Sequence, residues 1–261
     1  MRRLIPLLLI VTASCGGSDA KTVTPPVSPC RETAFEGAQF IVCDPGKGEL
    51  RLFAAAKDEQ PIRRFADLPV DPAKVAFAMN AGMFDEAGRP IGMAANEDGQ
   101  KNAINLRDGG GNFHLKPNGV LIVSIGGGAM VLPSKKAPAL MFRAAPRLYT
   151  QSGPMLVIDG QLHPKLAPDG TSRYVRNGVG VTPAGHPLFV ISLDAVSLGR
   201  FARFFRDALK TPNALYFDGS VSSLWDPANG RQDDFTELGP IIVAFKPSAG
   251  STPGREGRAT P

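Results

Sequence analysis

Apolar runs in this chain are short, and each ends in a cluster holding Gly, Pro, Asn or Asp. Val75–Met79 stops at Asn80-Ala81-Gly82. Val120–Ile125 and Ala129–Leu132 flank Gly126-Gly127-Gly128. Met155–Ile158 runs into Asp159-Gly160 and then Gln161-Leu162-His163. Gly178–Thr182 and Leu188–Ser192 flank Pro183-Ala184-Gly185-His186, and Ala214–Phe217 and Ile241–Phe245 are the last such runs. Runs of this length bounded by turn residues read as strands, and the paired ones as hairpins. Gln39–Cys43 and Glu49–Phe53 around Asp44-Pro45-Gly46-Lys47-Gly48 give the same hairpin signal. Gly and Pro number 29 and 24 of 261 residues, which supplies the turns, while 43% apolar residues leave enough for a sizeable core.

One segment departs from this pattern. Leu198, Phe201, Ala202, Phe205 and Leu209 fall on one helical face behind Ser197, a suitable N-cap, so Leu198–Leu209 is predicted to be a helix. Its phenylalanines read as core packing. Hairpins throughout with one or two helices predict a single α+β domain of antiparallel or mixed sheets. Helices do not alternate with the strands, which argues against a doubly wound order.

The N-terminus reads as an export signal. Arg2-Arg3 precede an apolar run from Leu4 to Ala13, too short to span a bilayer, which needs about 20 residues. Val11-Thr12-Ala13-Ser14-Cys15-Gly16-Gly17 resembles a bacterial lipobox, with Thr12 where Leu is usual. Residues 1–15 are therefore expected to be a signal peptide, with Cys15 lipidated or removed, and the destination the periplasm or bacterial envelope. Residues 16–29 are Ser, Thr, Pro and Gly rich and read as a linker, and 246–261 as a disordered tail. The folded domain is expected over 30–245. Cys30 and Cys43 then remain as an even pair in an exported chain and are predicted to form a disulfide; a catalytic Cys is the alternative, but neither has a His within thirty residues.

The net charge is +5 and 20% of residues are charged. Arg2-Arg3, Arg63-Arg64 and Lys135-Lys136 are scattered, so no nucleic-acid partner is expected. The triplets Gly109–Gly111 and Gly126–Gly128 lack the Lys-Ser or Lys-Thr of a phosphate loop, and Gly178-Val179-Gly180 lacks the third Gly of a dinucleotide fingerprint. No metal or cofactor is called for.

Five clusters at strand ends carry the chemistry: Asn80–Phe84, Lys116–Val120, Gln151–Met155, Arg176–Gly180 and Asp218–Ser223. Each sets an amide, hydroxyl, Arg or Asp beside a Gly, which lets backbone approach a ligand. One such cluster is a turn; five in one domain suggest a polar pocket.

These runs are similar to those of the phosphodiester glycosidase family. Its bacterial branch shares Asn-Ala-Gly-Met, Lys-Pro-Asn-Gly-Val, Gln-Ser-Gly-Pro-Met-Leu-Val, Arg-Asn-Gly-Val-Gly-Val and Asn-Ala-Leu-Tyr-Phe-Asp-Gly-Ser, here at 80–83, 116–120, 151–157, 176–181 and 213–220. The resemblance covers 75–245. It departs at Asp218-Gly219-Ser220-Val221-Ser222, where the animal branch has Asp-Gly-Gly-Gly-Ser. It implies a glycosidase acting on a sugar-1-phosphodiester, or a non-catalytic envelope protein binding a glycan or sugar phosphate on the same fold.

The phosphate of such a substrate is already a good leaving group, so charge neutralisation outweighs strong protonation. Arg176 is accordingly expected to bind the phosphate bidentately, Asp218 to act as base or nucleophile, and Asn80 and Asn177 to orient sugar or phosphate oxygens. Ser152, Gly153, Ser222 and Ser223 are expected to line the pocket with donors, joined in substrate binding by Asn118, Phe84, His163, Gly219 and Ser220. Plain structural readings compete: a turn aspartate for Asp218, an ion-pair partner for Arg176, a loop cap for Asn80. Asp85, Glu97, Asp159 and Asp194 are the remaining carboxylates from which a second acid would come.

Overall fold

The computed structural model describes residues 27–55, 60–96, 99–141 and 146–247. The signal peptide, Cys15, most of the linker, the tail beyond Pro247 and Glu97 lie outside the described residues. Three antiparallel sheets make up the fold. The first has seven strands, in the order β1 (Cys30–Phe35), β2 (Ala38–Cys43), β13 (Pro187–Ser192), β12 (Asn177–Val181), β14 (Asn213–Asp218), β10 (Met155–Ile158) and β11 (Gln161–Leu162). The second runs β16 (Arg231–Gln232), β15 (Leu224–Asp226), β4 (Val75–Asn80), β17 (Ile241–Phe245) and β3 (Leu50–Phe53). The third runs β6 (Gly99–Asn102), β5 (Ala94–Asn96), β9 (Pro146–Ser152), β7 (Gly119–Ser124) and β8 (Ala129–Pro133).

Every described pairing is antiparallel, so the expected sheet type is present. The helical part is smaller than an α+β label implies: α1 (Ala137–Met141), α2 (Leu198–Arg203) and single turns. The fold is mostly β. Ser197 caps α2 by accepting the Arg200 N–H, as its position suggested. Past Arg203 the helix continues as a π-turn over Phe204–Ala208. Phe204 is therefore as buried as Phe201 and Phe205, and it stacks on Phe40 with ring centroids 4.1 Å apart.

The hairpins β7–β8, β10–β11 and β12–β13 are formed as read. Asp159 (φ 47°) and Gly160 (φ 82°) both take the left-handed backbone that a tight two-residue hairpin needs. The hairpin read at 44–48 is not formed. β2 pairs with β1 and β13, whereas β3 pairs with β17, so Asp44–Gly48 carries the chain from one sheet to another. Gly48 permits this crossing, because a Cβ there would meet the Phe245 carbonyl oxygen at 2.1 Å. The apolar runs did not reveal β1, β5, β6, β9, β15 or β16; the longest of these, β1 and β9, are rich in polar residues.

The main core is buried where the sheets face one another, with Leu52, Phe77, Leu121, Leu148, Phe189, Leu215, Phe217 and Ile242 drawn from all three. A second cluster packs α2 onto the outer face of the seven-stranded sheet through Phe40, Leu156, Val190 and Tyr216. Cys30 and Cys43 face each other in the β1–β2 register and are disulfide-bonded. Ser28 Oγ donates to Asp226 Oδ2 at 2.7 Å, tying the segment before β1 to β15.

The bond closes a loop of 13 residues in sequence. Reducing it, or replacing Cys30 and Cys43 by Ser, is expected to lower stability by about 2–3 kcal/mol through the freer unfolded chain. Urea unfolding with and without reductant reads this directly, and unchanged midpoints would show that the pairing contributes nothing.

Candidate active site

β4, β9 and β14 end, and β7 and β12 begin, at the same edge of the sheets, which gathers the five polar clusters there. The centre is a pair of asparagines from two different sheets. Asn177 Nδ2 donates to the carbonyl and to Oδ1 of Asn80, at 2.7 and 2.8 Å. Asn80 Oδ1 also accepts the Ser223 N–H at 2.9 Å. Asn177 Oδ1 accepts the Asp218 N–H at 3.1 Å. Both asparagines are fully buried. Two donors on Asn80 Oδ1 fix the amide's orientation, since a flip would set N–H against N–H. Asn80 Nδ2 is left without a partner, a buried donor in reserve for a ligand oxygen.

Asp218 closes β14. Its backbone lies opposite Asn177, while Gly178 lies opposite Tyr216, so the register skips Phe217. Such a bulge re-aims side chains at a strand end. Asp218 Oδ1 accepts the amide N–H groups of Gly219 and Ser220, at 2.6 and 2.8 Å. The carboxylate is 8% exposed. Burial raises it above its ordinary value of 3.8, and the amides of Ser220, Gly219 and Val221 oppose that rise. A carboxylic acid held between those influences suits proton transfer or nucleophilic work.

Arg176 departs from its expected role. It is 1% exposed and turned inward. Nε donates to the Val196 carbonyl at 2.7 Å, Nη1 to the Tyr216 hydroxyl at 2.9 Å, and Nη2 to the Ser172 carbonyl at 2.9 Å. With these donors engaged the fork is not free to grip a phosphate bidentately. It supplies buried positive charge beneath the Asp218 loop instead. Gly219 must be Gly, because a Cβ there would lie 1.9 Å from the Tyr216 hydroxyl and 3.2 Å from Arg176 Nη1. Burial keeps Tyr216 a neutral phenol, its ionisation raised beyond any ordinary working pH despite Arg176.

The serines also differ from expectation. Ser222 Oγ lies 3.0 Å from the carbonyls of Val175 and Asp218, and Ser223 Oγ donates to the Val221 carbonyl at 2.9 Å. Both are buried, so they brace the loop and do not line a pocket. Ser152 Oγ donates to the Phe217 carbonyl at 2.8 Å, binding β9 to β14. Gly153 lets the chain pass Asn118, where a Cβ would come within 2.6 Å, and Asn118 Nδ2 holds the Phe113 carbonyl at 3.0 Å. Ser220 is exposed at the loop tip.

Two predicted ligand contacts lie off this network. His163 is buried, and its Nδ1 accepts the Lys165 N–H at 3.2 Å. That bond puts the proton on Nε2, which has no partner, and burial lowers the imidazole's proton affinity. Phe84 packs against Gly239 beneath the Arg63 guanidinium, 4.9 Å from its ring centroid. Tyr216, Ser172 and the Val196 carbonyl are the participants that the sequence reading missed. Only Tyr216 carried a signal, two residues before Asp218 on the same strand.

Among the described residues, no three His, Cys, Asp or Glu side chains are grouped closely enough to hold a metal ion. Two clefts of about 610 and 670 Å³ open at the opposite edge of the sheets and share Lys47 and Glu49, the first bounded by the turns at 125–128 and 184–187 and the second by residues 69–74 and 245–247. They share no residue with the Asn80–Asn177–Asp218 network.

Residues 73–237 match the family described as phosphodiester glycosidase. The uncharacterized protein YigE of Escherichia coli K12 is 34% identical over 152 residues, and the match spans 58% of each chain. Among solved structures, the catalytic domain of zebrafish N-acetylglucosamine-1-phosphodiester alpha-N-acetylglucosaminidase, auto-inhibited by its pro-peptide, superposes with a TM-score of 0.58. It is 14% identical, with 84% of this chain and 82% of that one covered. A hypothetical protein from Synechocystis gives 0.50 at 17% identity, with 83% and 61% covered. Likeness at these identities concerns the fold.

Because folding raises Asp218's proton affinity, its contribution to stability is full below the unfolded value and is lost as pH rises through the folded one. Asp218→Asn removes that loss. The variant should therefore gain stability over the wild type as pH rises above the ordinary aspartate value of 3.8 and through the folded one. Paired thermal scans at several pH values measure this, and a constant difference would contradict the raised value. Arg176→Ala strands the Ser172 carbonyl, takes the shorter of two donors from the Val196 carbonyl and unpairs the Tyr216 hydroxyl, and should cost about 3 kcal/mol in urea unfolding. A loss near zero would return Arg176 to the surface as a free clamp.

Proposed function

The chain belongs to the phosphodiester glycosidase family, and on that premise we propose that it is an exported hydrolase that releases a sugar from a sugar-1-phosphodiester. Water enters, the bond between the anomeric carbon and the phosphate oxygen breaks, and the phosphate stays on the other fragment as a monoester. The observation that carries this reading is Asp218: a buried carboxyl at a strand end, its backbone amide fixed by Asn177 and its loop amides turned onto Oδ1.

Asp218, ionised, serves as base or nucleophile at the anomeric carbon. Asn80 offers Nδ2 to a sugar or phosphate oxygen, and Asn177 holds Asn80 and Asp218 in register. Arg176, through Tyr216, keeps positive potential under the loop where negative charge gathers on the leaving phosphate. The phosphate needs little protonation to leave, so one carboxylate and buried charge suffice for the departure. The catalytic domain in the zebrafish enzyme is inhibited by its own pro-peptide. The Ser, Thr, Pro and Gly composition of residues 16–29 suits a linker behind Cys15, whose lipidation would hold the enzyme at the envelope. The substrates are then wall or capsule polymers, glycolipid head groups or scavenged glycans.

Asp218→Asn should reduce sugar release from sugar-1-phosphodiesters by about 10³-fold or more while leaving ligand binding within a few fold. Turnover by the wild type should fall on the acid side with a midpoint above 3.8, since the ionised form acts and burial raises its proton affinity. A panel of diesters, scored for free sugar and phosphomonoester, tests both points. Turnover surviving in the Asn variant would remove Asp218 from the reaction. Binding by the wild type with no release from any diester would make the protein a glycan-binding member of the fold.

A further inference from the structure

Tyr149 and Tyr216 are buried, whereas Tyr174 is 52% exposed. A loose loop does not explain that exposure. The Tyr174 N–H donates to the Val196 carbonyl at 3.3 Å, and its own carbonyl accepts the Val196 N–H at 2.9 Å. The backbone is therefore fixed at the very residue whose carbonyl also holds Arg176 Nε. Arg176 Cζ lies 5.5 Å from the Tyr174 ring centroid and 5.5 Å from that of Tyr216. Tyr216 in turn abuts Gly219, the residue after Asp218. Tyr174 thus adjoins the guanidinium that underlies the Asp218 loop, with much of its ring open to solvent.

The chemistry of the opening narrows what fits against it. An aromatic ring offers a flat apolar face with negative charge over its plane. Arg176 and Tyr216 connect it to the Asp218 loop, because Tyr216 and Arg176 lie directly under Gly219, and Asn80 Nδ2 is the unpartnered donor of the same network. A phosphate would need N–H donors at this position, and the Arg176 donors described above are engaged with protein. A pyranose has what the opening asks for: a C–H face for the ring and hydroxyl edges for the amide.

We propose that Tyr174 is the stacking wall of a sugar subsite, packing against the C–H face of the pyranose whose anomeric carbon meets Asp218. This rests on the reading of the site as a glycosidase. Tyr174 binds the ring and takes no part in bond breaking.

The test compares Tyr174→Ala and Tyr174→Phe in the full-length protein. Removing the ring should raise KM for a cleaved sugar-1-phosphodiester about tenfold, near the upper end of an aromatic face's contribution, with kcat changed less than about threefold. Tyr174→Phe keeps the face and should recover most of that affinity. Equal KM for the wild type and Tyr174→Ala overturns the proposal. So does a Phe variant as impaired as the Ala variant, which would assign the effect to the hydroxyl. Titration of the free sugars by calorimetry separates this from the reaction itself. If the wild type cleaves no diester but binds a sugar that Tyr174→Ala does not, the subsite stands and the hydrolytic reading falls. If the wild type binds no sugar and cleaves no diester, both fall.

Discussion

The Asn80–Asn177 pair is the interaction on which the rest of the site depends. β4 and β12 belong to different sheets, and these two amides join their strand ends. Asn177 joins the sheets with Nδ2 and fixes the Asp218 amide with Oδ1; Asn80 uses Oδ1 to hold Ser223 at the far side of the same loop. One pair of side chains therefore sets both ends of the Asp218–Ser223 turn. A buried amide can do this because its donor and acceptor point to fixed, opposite directions. An aliphatic pair of the same size would fill the space and strip the Asp218 N–H, the Ser223 N–H and the Asn80 carbonyl of these partners.

Around that pair the polar residues divide into those that build and those that face outward. Thr150 Oγ1 holds the Ala81 carbonyl at 2.6 Å, and Pro240 accepts the Ala81 N–H at 2.7 Å, so the chain leaving β4 is pinned on both sides. Gln151 satisfies all of its amide by accepting from the Met93 and Asn105 N–H groups and donating to the Asn105 carbonyl and Ser134 Oγ. These buried, fully paired groups give rigidity. Asp218 and Asn80 Nδ2 are the exceptions: one carboxyl kept under burial and one donor kept without a partner. A preorganised site has such incomplete groups where the ligand will complete them.

Much of this was legible from the residues. Strand ends with Asn, Asp and Gly pointed to one edge of the fold, and Asn80, Asn177 and Asp218 do converge there. What the sequence did not disclose was direction. Arg176, Ser222 and Ser223 have the residue types of a binding surface, yet all three turn inward, because carbonyls of Val196, Ser172, Val175 and Val221 reach them in the folded chain, a direction the residue types alone do not give. β1 and β9 escaped notice for a related reason. Arg31, Glu32 and Thr33 make an edge strand without an apolar run, and the polar Thr150, Gln151 and Ser152 of β9 are buried only because distant loops supply their partners. The 44–48 turn misled because local turn chemistry specifies a reversal but not which strand receives it.

On the proposed reaction, the burial of Arg176 and a role for its charge are compatible. A guanidinium at the surface would be screened by water and salt, and its effect on a departing phosphate would be small. Enclosed by two carbonyls and the Tyr216 hydroxyl, with rings of Tyr174 and Tyr216 near it, its charge acts in a medium of lower polarity and reaches further. The same burial raises Asp218, which in the folded chain holds its proton more readily than an exposed aspartate. The two effects are linked through Gly219, since only a residue without a Cβ lets the Asp218 loop rest on Tyr216 and Arg176. The chain thus keeps a costly carboxyl and a costly cation within one small loop, and the hydrogen bonds of the surrounding strands are what make that arrangement tolerable.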